Sequence, residues 1–95
     1  MITDVFEYHI IVTGFVQGVG YRLFAYQLAQ QYGIHGWVKN NYDGCVELLI
    51  QGYKSDLDLY IDYLRKGPDY SEVKDVLIIE QKSPVNLYES FNIRY

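Results

Sequence analysis

Apolar and polar positions alternate over 6–13. Phe6, Tyr8, Ile10 and Val12 fall on one side of an extended backbone, and Glu7, His9, Ile11 and Thr13 on the other. A period of two, rich in β-branched and aromatic residues, predicts a strand. At Tyr21 the period changes. Tyr21, Phe24, Ala25, Leu28, Ala29 and Tyr32 recur at steps of three and four, with Gln27, Gln30 and Gln31 on the wetter side and Gly33 as a stop. That is the stripe of an amphipathic helix. Two extended runs then flank Asn41-Tyr42-Asp43-Gly44, a turn cluster that predicts a β-hairpin. In the second run Val46, Leu48 and Ile50 share one face, while Cys45, Glu47 and Gln51 share the other. Leu57, Tyr60, Ile61 and Leu64 form a second helical stripe. Ser55 is expected to cap that helix with its hydroxyl, and Gly67-Pro68 to end it. A strand over 73–82 with 76–79 largely buried, a connector over 83–90 and a short last strand over 91–95 complete the pattern.

The order β-α-β-β-α-β plus a terminal strand predicts an α+β fold, a ferredoxin-like sandwich. Two helices would lie on one face of a mostly antiparallel sheet. The order leaves open where the last strand joins. This architecture hosts many activities and names none of them.

Composition narrows the classes. The 95 residues are 49% hydrophobic and 21% charged, which suits one globular domain spanning 1–95 rather than a disordered chain. The formal charge of −4 disfavours nucleic acid and acidic membranes as partners, so any cationic pocket must be local. A single cysteine excludes an internal disulfide and a Cys-based metal cluster. The first residues lack the basic and apolar regions of a signal peptide, and no apolar run is long enough to span a membrane. A soluble cytoplasmic protein is expected.

One stretch then stands out for its chemistry: Gly14-Phe15-Val16-Gln17-Gly18-Val19-Gly20-Tyr21-Arg22, between the first strand and the first helix. Three glycines in seven positions let the backbone turn tightly and come close to a ligand. A helix start presents N–H groups without internal acceptors and a positive dipole end, which suits an oxyanion. Arg22 and Lys39 are the only Arg or Lys residues before Lys54, and a guanidinium can hold two phosphate oxygens. Chemistry alone leaves two readings open, an anion-binding loop or a strand-to-helix turn with a surface arginine. Other candidates are weaker. His9 reads as an exposed or hydrogen-bonded strand histidine with no nucleophile suitably spaced, Cys45 as an incidental strand thiol, and Trp37 as a packing anchor. Asn40 and Asn41 are justified by turn chemistry alone.

Residues 14–22 resemble the signature of the acylphosphatase family, in which a Val-Gln-Gly-Val loop leads to an aromatic residue and an arginine. Gly36-Trp37-Val38-Lys39-Asn40 and Asp43-Gly44-Cys45-Val46-Glu47 are similar to the second motif of that family. The likeness continues through Leu64-Arg65-Lys66-Gly67-Pro68 and Phe91-Asn92-Ile93-Arg94-Tyr95, nearly the whole chain in register. Phe15 departs from it, standing where the family often has a basic or polar residue; it bears on substrate preference and rate.

The resemblance implies hydrolysis of the carboxyl–phosphate bond of acyl phosphates, giving a carboxylate and inorganic phosphate. Arg22 would clamp the phosphoryl group with the backbone N–H groups of Gln17, Gly18, Val19, Gly20 and Tyr21. Asn40 would hold the attacking water. An amide accepts and donates but is too weak a base to ionise water, so the substrate's phosphate would take the proton. No cofactor and no metal are implied, and a monomer is expected. Two other readings stand beside this one. A non-catalytic phosphate or carbamoyl-phosphate binding domain would fit, since such domains occur within larger maturation enzymes; the end of the chain at Tyr95 favours a free enzyme. An RNA-binding sheet is suggested by 11 tyrosines but opposed by the acidic balance.

Overall fold

The computed structural model describes residues 5–95. Residues 1–4, read above as carrying no targeting signal, lie outside the described residues. The elements run β1 (Val5–Phe15), α1 (Tyr21–Tyr32), β2 (His35–Asn40), β3 (Val46–Tyr53), α2 (Lys54–Lys66), β4 (Glu72–Lys82) and β5 (Phe91–Arg94). They form one five-stranded sheet in the order β4-β1-β3-β2-β5. Every neighbouring pair is antiparallel except the last: β5 lies parallel to β2, with Val38 opposite Ile93. The ferredoxin-like expectation is met, and the open question of the last strand is answered at the β2 edge.

The alternation explains the layers. Tyr8, Ile10 and Val12 of β1, Val38 of β2 and Val46, Leu48 and Ile50 of β3 are buried on one face of the sheet. Tyr21, Ala25 and Ala29 of α1 and Leu57, Tyr60, Ile61 and Leu64 of α2 cover that face. Two buried hydroxyls join the helices: Tyr21 donates to the Leu64 carbonyl at 2.7 Å and Tyr60 to the Ala25 carbonyl at 2.7 Å. Each such bond stabilises by about 1 kcal/mol net.

Two expectations are corrected. Of residues 76–79 in β4 only Val76 is buried; Leu77 is 47% and Ile79 55% exposed. The helices cover one face of the sheet only, so alternate residues of β4 point to the face they leave open. Ser55 does not cap α2, which begins one residue earlier at Lys54 with Tyr53 as its extended cap and no side-chain bond. The β3 ladder carries the chain straight into the helix there, leaving Ser55 inside its first turn.

The outer sheet face settles the minor candidates. Trp37 is a packing anchor, with the Arg94 guanidinium carbon 4.5 Å from its ring centroid and its Nε1 donating to the Tyr88 hydroxyl at 3.3 Å. His9 pairs with Glu47. The Cys45 thiol is pushed up by burial and by the Asp43 carboxylate, away from the thiolate a nucleophile needs.

Candidate active site

The loop between β1 and α1 is pinned from below by Val16, which is buried, and by Val19, which packs against the core. On either side of Val19 the backbone swings through positive φ, at Gly18 (76°) and Gly20 (79°). A side chain at either would strain a backbone that L-residues avoid. Gly20 is also the helix cap, and it brings no side-chain acceptor to the first turn of α1. Among the described residues, the N–H groups of Gln17 to Leu23 find no protein acceptor; the first helical bond is Phe24 N–H to the Gly20 carbonyl, 3.0 Å. No acidic residue occupies that first turn, so nothing offsets the positive end of the dipole.

Beside this row of open donors stands Arg22. Its Nη1 donates to the Arg94 carbonyl at 3.3 Å, and its guanidinium carbon lies 4.7 Å from the centroid of the Tyr95 ring. The end of β5 thus holds the side chain by one hydrogen bond and one cation–π contact, and its remaining N–H donors have no protein acceptor among the described residues.

Asn40 closes the site from the far end of β2. Asn40 falls on the helix-facing side of the strand with Val38, which brings it to the same cleft. Its Oδ1 is buried without a hydrogen-bond partner. The cleft has a volume of about 310 Å³ and is lined by Gly18, Gly20, Tyr21, Arg22 and Asn40, with Val16, Leu23, Ile93 and Tyr95 as apolar wall.

The residues singled out in the sequence therefore converge, with differences in detail. Gly18, Gly20, Tyr21, Arg22 and Asn40 line the cleft; Gln17 and Val19 do not. The Val19 side chain belongs to the core. The Gln17 side chain turns to the β2–β3 hairpin, where Nε2 donates to the carbonyls of Asn41 (2.7 Å) and Cys45 (2.8 Å). Tyr21 contributes its backbone only, since its hydroxyl is bound to Leu64 and burial pushes its pKa far up. Phe15 is exposed at the end of β1, opposite Glu72 of β4, and does not line the cleft. Sequence reasoning missed Tyr95 and the Arg94 carbonyl. Their place beside Arg22 follows from the parallel pairing of β5 with β2, for which no local pattern speaks.

Known proteins share this sequence pattern and fold. The family model Acylphosphatase matches residues 8–93. The chain belongs to the acylphosphatase family. The acylphosphatase of Bacillus licheniformis is 39% identical over 89 residues, covering 94% of this chain and 98% of that one. Among solved structures, the acylphosphatase of Bacillus subtilis superimposes with a TM-score of 0.91 at 36% identity, covering 95% of this chain and 99% of that one. A full-length HypF in its phosphate- and nucleotide-bound form matches with a TM-score of 0.84 at 27% identity; the match covers all of this chain but 12% of that one. An acylphosphatase needs a seat for a phosphoryl group and a directed water, and the cleft offers open N–H donors beside an amide oxygen without a partner among the described residues.

Proposed function

We propose that this chain hydrolyses acyl phosphates, with Arg22 and the amides of Gln17 to Tyr21 as phosphate seat and Asn40 as holder of the water. The observation that carries it is the meeting, in one cleft, of unsatisfied N–H groups, a braced guanidinium and a buried amide oxygen with no partner. Buried polar atoms are rarely left unpaired, and an unpaired one beside a cleft suits a bound water.

The geometry supports a short sequence of events. Two phosphoryl oxygens accept from the amides of 17–21 and from the fork of Arg22, which spreads the charge that grows on them. Asn40 Oδ1 accepts one hydrogen of a water and turns its lone pair to phosphorus. A new P–O bond forms to that water while the bond to the acyl oxygen breaks. The acyl oxygen leaves as carboxylate, and both water protons end on phosphate, giving dihydrogen phosphate from the dianionic substrate. A carboxylate is a good leaving group, so seating and charge stabilisation suffice without a strong base. No cofactor takes part.

The chain acts as one domain over 1–95 and as a monomer. Its charge of −4 speaks against nucleic acid and acidic membrane partners, and among the described residues no helix is long and apolar enough to cross a membrane. A domain that binds phosphate without turnover is the second reading, favoured only by the HypF match at 27% identity; the matches to acylphosphatases at 39% and 36% favour the enzyme. Benzoyl phosphate hydrolysis tests the proposal. Turnover by the unaltered chain in EDTA, lost in Arg22→Ala, is expected. Phosphate binding without turnover would establish the second reading instead.

A further inference from the structure

We infer that the Gln17 side chain is a positioning residue: it sets the distance between the phosphate seat and the water held by Asn40. The inference rests on the roles proposed above for that loop and for Asn40. The two hydrogens of one amide group are both used, one on the Asn41 carbonyl and one on the Cys45 carbonyl. Those carbonyls already close the hairpin turn, for Asn41 N–H donates to Cys45 O at 2.9 Å and Gly44 N–H to Asn41 O at 3.2 Å. Gln17 therefore grips the turn at both of its rims, across 24 and 28 positions of sequence.

What lies at each end gives the grip its meaning. At one end is the loop whose own N–H groups are left open from Gln17 onward. Such a loop has few other ties than Val16 and Val19. At the other end is Asn41, covalently next to Asn40, whose Oδ1 has no partner to orient it. A side chain that bonds the residue after Asn40 to the start of the loop limits how far the water can drift from phosphorus. Glutamine suits the task, since its amide gives two donors in a fixed plane and no charge. A glutamate would face both carbonyls with acceptors alone, and a lysine would add a cation outside the cleft.

The test separates this role from simple bracing. Gln17→Met keeps the length and removes both donors. It is expected to lower kcat on benzoyl phosphate about 10- to 100-fold, as misplacement of a reacting group does, while KM and the affinity for inorganic phosphate change little. In the Asn40→Ala background the same substitution should cause almost no further loss, because the water it aims is no longer held. A kcat equal to that of the unaltered chain overturns the inference. So does a loss that multiplies fully onto Asn40→Ala, or one confined to KM and phosphate affinity. If Asn40→Ala alone turns over normally, the proposed role of Asn40 fails and the inference with it. Should Gln17→Met not fold, the unaltered protein still decides: the Gln17 side-chain amide hydrogens should exchange with solvent more slowly than those of exposed Gln30 and Gln31. Equal rates overturn the strut.

Discussion

Two carboxamides in this molecule have opposite fates. Gln51 sits on β3, 3% exposed, and its amide is fully used: Nε2 donates to Glu7 Oε1 and to the Asn86 carbonyl, both at 2.8 Å, and Oε1 accepts from Tyr88 N–H at 2.9 Å. It ties the connector over 83–90 to the sheet and so seats β5. Asn40, on the adjacent strand, has its oxygen shielded yet unpartnered. The same chemical group is saturated in one region and idle in the other. Bonds completed within the chain hold the fold, while bonds left open beside a cleft are available to a ligand. Gln51 also bears on the cleft, because the connector that it anchors leads to Arg94 and Tyr95, which brace Arg22.

Substitutions on the open side should hit turnover hardest. Arg22→Ala removes the one side-chain cation that lines the cleft and should lower kcat/KM for benzoyl phosphate by at least 10³-fold, with phosphate affinity lost and thermal midpoint retained. Asn40→Ala should lower kcat by about 10²–10³-fold, typical for one preorganised polar group, and leave phosphate affinity less changed. Isothermal titration with phosphate beside the kinetics tells the two apart. If Asn40→Ala lost stability rather than rate, Asn40 would belong with Gln51 and the contrast would collapse.

On the saturated side the expected effect moves to stability. Gln51→Leu strands the Glu7 carboxylate and the Tyr88 N–H, and should cost about 1–3 kcal/mol in chemical denaturation. Turnover should fall only as far as a looser β5 releases Arg22. Tyr95→Ala acts on that last link and on the cleft wall that Tyr95 forms. Removing one exposed cation–π contact, usually about 0.5–1 kcal/mol, should lower kcat/KM a few-fold without shifting the denaturation midpoint.

The legibility of the chain in sequence follows the same divide. Elements built by local periodicity were readable: the β1 alternation, the α1 stripe ending at Gly33, and the hairpin around Asn41–Gly44. The loop was readable because its glycines and helix start are contiguous, and Asn40 only through likeness to a family. What escaped depended on long-range placement. The run 76–79 reads as apolar throughout, whereas the strand's alternation points Leu77 and Ile79 to the sheet face that no helix covers. The Ser55 cap failed because β3 runs directly into α2, and a strand's register overrides a cap preference worth about 1 kcal/mol. Gln17, read for its backbone, turned out to have an occupied side chain. Nothing local pairs it with carbonyls 24 and 28 residues away.

A third polar group lies between the extremes and sharpens the contrast with the smallest effect. Glu47, on the outer face of β3, is paired with His9 and lies 4.0 Å from Lys39. Burial pushes its carboxyl up, but hydrogen bonds from His9 and Asn41, with the charges of His9 and Lys39, outweigh this, so its pKa is below the ordinary carboxylate value. The folded chain therefore holds this proton less readily than the unfolded chain. Its contribution to stability is complete above the ordinary carboxylate pKa and is lost as pH falls through the lowered one. Denaturation midpoints measured from pH 7 down into the acid range should show that loss, and Glu47→Gln should flatten the acid limb. The substitution should leave kcat on benzoyl phosphate at pH 7 unchanged, because Glu47 faces away from the cleft with Trp37 and Lys39. A drop in kcat without a change in the acid limb would mean that the outer face, too, serves the reaction.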